Sequence, residues 1–73
     1  MNIEEIKQAI ETNIIGAQAN VSSDDGHHFA AEVTYAGFSG KSLLEQHKMV
    51  YGAIGSAVGD AIHALSLTTK TSN

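Results

Sequence analysis

The sequence predicts an α+β domain with the element order αββααβ, its three strands forming one mixed sheet and its helices packed on one face. Three patterns carry that prediction: isoleucines at helical spacing near the N-terminus, two extended runs flanking an Asp-Gly turn, and a glycine-interrupted amphipathic stretch leading into a last alternating run.

The first helix is read from Ile3, Ile6, Ile10 and Ile14, which share one face with Glu4, Lys7, Gln8 and Glu11 between them. Asn2 followed three residues later by Glu5 has capping-box spacing, and Gly16 offers a C-terminal stop, so the helix is expected over roughly 3–15. Ala19 and Val21 alternate with Asn20 and Ser22 as a short, mostly polar strand, expected at a sheet edge. Asp24-Asp25-Gly26 then reverses the chain, because Asp and Gly tolerate the positive φ that hairpin turns require. Phe29, Ala31, Val33 and Tyr35 fall on one side of the next strand and Ala30, Glu32 and Thr34 on the other, which predicts a sheet covered on one face.

Gly37-Phe38-Ser39-Gly40 reads as a turn, and Ser42 and Glu45 as the capping box of a second helix starting near Leu43. Leu43, His47, Val50 and Ile54 form its stripe, but Gly52, Gly55 and Gly59 each cost about 1 kcal/mol against alanine inside a helix. A break near Gly52 into two short helices is therefore expected. Residues 62–69 read as the last strand, with His63, Leu65 and Leu67 on one side and a short, frayed tail from about Lys70. A hairpin followed by a helical crossover places that strand parallel to a neighbour.

At 73 residues the chain is expected to be a single domain over 1–73 with modest stability, since so short a chain buries only about 60% of its unfolded surface. With no cysteine it can form neither a disulfide nor a thiolate metal site of its own. Net charge is −4, there is no arginine, and Lys7, Lys41, Lys48 and Lys70 are too few for a dense phosphate-binding surface. The N-terminal residues are acidic and lack a long apolar run, which suggests neither a targeting peptide nor a membrane span, and a cytoplasmic location is expected.

Phe38-Ser39-Gly40-Lys41-Ser42, Gln46-His47-Lys48-Met49-Val50-Tyr51, Ile62-His63-Ala64-Leu65-Ser66-Leu67 and His28-Phe29 together resemble the signature segments of the BolA family. The resemblance covers about residues 21–69 in four ordered segments. It implies a fold related to type II KH domains, partnership with monothiol glutaredoxins in iron-sulfur cluster assembly or trafficking, and, in some relatives, transcriptional regulation. One departure is that Gln46 precedes His47 where many relatives carry a basic pair, which weakens the expectation of DNA binding.

A 2Fe-2S cluster takes four ligands, and imidazole can replace thiolate on one iron. The resemblance implies that glutaredoxin and glutathione thiols hold one side. A histidine starting the last strand and a ligand from the hairpin loop would hold the other, and these map onto His63 and onto His27 or His28. The isolated chain is expected to bind no cluster tightly, and homodimerisation is left open. Asp24 or Asp25 could accept a hydrogen bond from a ring N–H and raise the basicity of an imidazole. The bland alternatives are locally satisfied histidines and a solvated acidic turn. His47 is read as a boundary residue packing its ring and bonding locally.

Gly52-Ala53-Ile54-Gly55 has the GxxG spacing with which KH loops clamp a nucleic-acid backbone, but no cation lies between the glycines. Neither a nucleophile with its base nor a phosphate loop is present, so catalysis is not expected. The expected function is an adaptor sharing a cluster with a glutaredoxin, with nucleic-acid binding through the two-helix region as the alternative.

Overall fold

The computed structural model describes residues 2–55 and 64–72. Helix α1 (Ile3–Asn13) is followed by β1 (Gln18–Ser22), β2 (Phe29–Thr34), a 3₁₀ turn (Ala36–Phe38), helix α2 (Leu43–Ile54) and β3 (Leu65–Lys70). The sheet order is β1-β2-β3, antiparallel between β1 and β2 and parallel between β2 and β3. The mixed sheet is thus as expected; the second of the two short helices would fall largely outside the described residues.

The expected capping box opens α1: Asn2 Oδ1 accepts from Glu5 N at 2.9 Å, and Glu5 Oε1 accepts from Asn2 N at 3.0 Å. The helix ends at Asn13 rather than near Ile15, because Ile14 is already extended at φ −122°. Ile14 turns into the core at 6% exposure, while Ile15, in the turn closed by Ala17 N donating to Ile14 O at 3.0 Å, is 80% exposed.

A clamp that sequence patterning does not reveal fixes α1 to the sheet. Lys7 Nζ donates to Glu11 Oε2 and to Ala19 O, and Ala19 N donates to Glu11 Oε2, all at 2.9 Å. The Ala19 hydrogen bond, then Lys7, holds the Glu11 carboxyl below its ordinary range.

Phe29, Ala31 and Val33 are buried with Ala19 and Leu65 against Ile6, Ile10, Val50 and Ile54, whereas Gln18, Asn20, Ser22, Ala30, Ser66 and Thr68 are exposed. The core therefore lies on one face of the sheet and the other face is open. The segment expected to be a plain turn supplies a central core residue, since Phe38 is fully buried. Its ring meets Tyr35 edge-on at 5.3 Å and 89°. Gly37 permits this, because the Tyr35 ring occupies the space a β-carbon would need.

Helix α2 opens on its expected capping box, with Ser42 Oγ accepting from Glu45 N at 3.1 Å and Glu45 Oε1 accepting from Ser42 N at 2.9 Å. Ser42→Ala is expected to cost about 1 kcal/mol, read as a lower urea midpoint with an unchanged slope. The expected break near Gly52 does not occur. The helix runs through Gly52 to Ile54 and stops at Gly55, whose φ of +63° and ψ of −154° suit only glycine. Burial of Val50, Ala53 and Ile54 around Gly52 outweighs its propensity penalty of about 1 kcal/mol.

Strand β3 begins at Leu65, so Ile62 and His63, expected as its first residues, lie outside the described residues. Lys70 is the last strand residue rather than the start of a frayed tail: its O accepts from Tyr35 N at 2.9 Å, and its Nζ is 3.1 Å from Glu32 Oε2. No helix among the described residues is long and apolar enough to cross a membrane.

Candidate functional site at the hairpin rim

Residues 23–28 join β1 to β2 in a loop longer than the two-residue turn that Asp-Gly alone would favour. A local hydrogen-bond set closes it. Ser23 Oγ donates to His28 O at 2.6 Å and accepts from Gly26 N at 2.9 Å, while Asp25 Oδ1 accepts from the backbone N of His27 and of His28, each at 2.8 Å. A carboxylate that gathers the N–H groups two and three residues ahead is a standard Asx arrangement. Gly26, at φ +75°, gives the reversal that brings those N–H groups back.

The second Asp25 oxygen completes the site: Oδ2 lies 2.9 Å from His28 Nδ1. The hydrogen bond from the His28 ring, followed by those from the His28 and His27 backbones, holds the Asp25 carboxyl well below the usual carboxylate range. An ionised Asp25 can only accept, so Nδ1 carries a proton, and in the neutral ring Nε2 is the nitrogen with a free lone pair. The His28 side chain is 79% exposed, so this imidazole is fixed at one nitrogen and open to solvent at large.

Of the two aspartates considered from sequence, Asp25 is the one that orients an imidazole; Asp24 lines a shallow hollow beside it. That hollow, about 210 Å³, is walled by His28, Ser22, Ala30 and Ser66. Ser66 belongs to β3, and Phe29 pairs with Leu65, so the hairpin's exit and the entry to β3 lie side by side at one rim. His27 is exposed, and among the described residues no polar group holds its ring. His63 precedes Leu65 by two residues in sequence and lies outside the described residues.

His47 is apart from this rim, on α2. Its ring meets Tyr51 edge-on at 6.5 Å, as expected of a packing residue, while among the described residues no hydrogen-bond partner reaches its buried Nε2. The GxxG segment is not a presented loop at its start. Gly52, Ala53 and Ile54 form the last turn of α2, with Ala53 and Ile54 buried and Ala53 O accepting from Asn13 Nδ2 at 2.8 Å. Ser23, which sequence reasoning passed over, is the loop's second organiser; its only sequence signal is a hydroxyl three residues before Gly26.

The Asp25 arrangement makes the loop acid-sensitive. Its folded pKa lies below the unfolded value of 3.8, so the stabilisation is complete above that value and is lost as pH falls through the folded one. Unfolding midpoints measured from neutral pH down to about pH 2 should fall in the acid range, and Asp25→Asn should flatten that slope.

A three-stranded mixed sheet with helices on one face, carrying a histidine-bearing hairpin rim, places the chain among small α+β domains. The BolA-like protein family matches residues 6–73, and the chain belongs to that family. It is 42% identical to a bolA protein homologue from Coxiella burnetii, with a TM-score of 0.83 covering 97% of this chain and 91% of that one. Protein BOLA1, chloroplastic, from Arabidopsis thaliana is 35% identical over 49 residues, which are 67% of this chain and 31% of that protein. SufE-like protein 1, chloroplastic/mitochondrial, from the same plant is 35% identical over 51 residues, 68% of this chain and 14% of that protein. The chain thus spans less than a third of either plant relative.

Proposed function

We propose that this chain is a BolA-type adaptor that takes a 2Fe-2S cluster as cargo, sharing it with a monothiol glutaredoxin and glutathione. His28 and His63 serve as its two nitrogen donors. The observation that carries the reading is the Asp25–His28 pair: a carboxylate holds Nδ1–H of an imidazole whose side chain is 79% exposed at the rim where β3 begins. A carboxylate behind a ligating imidazole sets its tautomer and raises its basicity. Nitrogen donation to one iron of a 2Fe-2S cluster has a precedent in Rieske centres. Membership of the BolA-like family supports the reading, as does a BolA-type segment within a SufE-like protein.

Between the two loop histidines the choice falls on His28, because a ligand held in advance loses less freedom on binding than the unanchored ring of His27. Asp25 is its positioning residue. The low cationic content disfavours nucleic acid as the main partner.

The test is reconstitution with a monothiol glutaredoxin, glutathione, iron and sulfide. A mixed complex should form whose visible absorption and circular dichroism differ from those of the glutaredoxin reconstituted alone. Identical spectra, or no complex, would overturn the reading.

A further inference from the structure

We propose that the outer edge of β3 pairs with the same edge of a second copy of this chain, antiparallel about a two-fold axis at Leu67, joining two three-stranded sheets into one. The argument begins with which backbone groups face outward. Tyr35 N donates to Lys70 O, and in a parallel ladder alternate residues of a strand bond to the neighbour. Ser66, Thr68 and Lys70 therefore turn their backbone groups toward β2, while Leu65, Leu67 and Thr69 turn theirs away from the sheet. The same alternation on β1 turns Ala19 and Val21 outward. There Ala19 meets Lys7 Nζ and Glu11 Oε2, which confirms the phase.

The two edges are thus treated differently. Helix α1 occupies the β1 edge with a charged pair, whereas no hydrogen bond reaches the outward groups of Leu67 or Thr69 among the described residues. Proteins ordinarily blunt a bare edge with charge, proline or a bulge. The β3 edge has none of these in its middle: Ser66 and Thr68 are the exposed side chains, and Lys70 at the end is drawn to Glu32 on the adjacent strand.

A bare edge takes an extended strand, and β3 is complementary to itself. With Leu67 opposite Leu67, Leu65 of each copy faces Thr69 of the other, so every outward residue meets another, about two hydrogen bonds to a pair. On the helix face the partly buried Leu67 meets its own copy; on the open face Ser66 meets Thr68. Lys70 falls opposite Ala64, so no like charges oppose one another. Thr69 Oγ1 donates to Gln46 Oε1, which places the start of α2 against β3, and there Leu43 and Leu44 are 63% and 65% exposed.

One short strand with two leucines buries less than the roughly 1,200 Å² of a standard interface, so the pairing is weak and concentration-dependent. Sedimentation velocity of the full chain, without metal or glutaredoxin, from low micromolar to millimolar should show the mass rising from 7.7 kDa toward twice that value. Amide exchange at Leu67 and Thr69 should slow over the same range. Ser66→Lys combined with Thr68→Lys sets like charges across the axis at exposed positions. This variant should keep the monomer's amide spectrum away from β3 and remain monomeric. A wild-type chain that stays monomeric throughout, a lysine variant that still dimerises, or dimerisation without slowed exchange at Leu67 and Thr69 would overturn the proposal. The cluster reading stands or falls separately, since no cluster is present in these measurements.

Discussion

Phe38→Ala should lower the unfolding free energy by about 3–5 kcal/mol, the range for truncating a buried phenylalanine. The side chain is fully buried and is among the largest such side chains of the described core. It enters that core from a 3₁₀ turn rather than from a helix or strand, and Tyr35 packs edge-on against it. Removing the ring leaves a cavity in the core and strips Tyr35 of its aromatic partner. A chain of this length is typically stable by about 4–11 kcal/mol, so the loss removes a large share of the total and leaves the variant largely unfolded only if the parent lies near the lower end. Urea titration followed by far-ultraviolet circular dichroism measures the effect, and a loss below about 1 kcal/mol would contradict this placement of Phe38.

The second large effect is expected in the cluster-bearing complex. His63→Ala and His28→Ala should each remove one nitrogen donor, so that the visible spectrum reverts toward that of the glutaredoxin alone and the cluster is lost faster to chelators. His27→Ala should leave both properties in place. Asp25→Asn keeps the side chain's size but removes the charge behind the imidazole, and outer partners of this kind are worth about 10–100-fold in metal affinity. Its cluster should therefore be released faster than the wild-type cluster, with both ligands still present. Binding of cluster-free glutaredoxin, measured in parallel, separates lost ligation from lost docking.

Much of this molecule is legible in its sequence because its patterns are local. Asn2 with Glu5 and Ser42 with Glu45 announce two capping boxes that both form, and the alternation from Phe29 to Thr34 gives the central strand and its buried face. Errors arise where tertiary packing overrides local preference. Gly52 stays helical because its neighbours are buried, and Phe38 reads as turn because nothing local records what fills the space beneath the sheet. The Lys7–Glu11 clamp on Ala19 is illegible for the same reason, since it joins a helix face to a strand edge eight and twelve residues away. In the site, Asp25, Gly26 and the two histidines are visible as residue types. Their division of labour depends on which carboxylate oxygen meets which nitrogen, and only the folded loop sets that.

The most direct test of the cluster reading is pulsed electron paramagnetic resonance on the reduced mixed complex, with this chain labelled with ¹⁵N-histidine. Two histidine nitrogens should couple to the cluster in the wild-type chain and one in His28→Ala. Couplings unchanged in His28→Ala, or no histidine nitrogen coupled at all, would contradict the account.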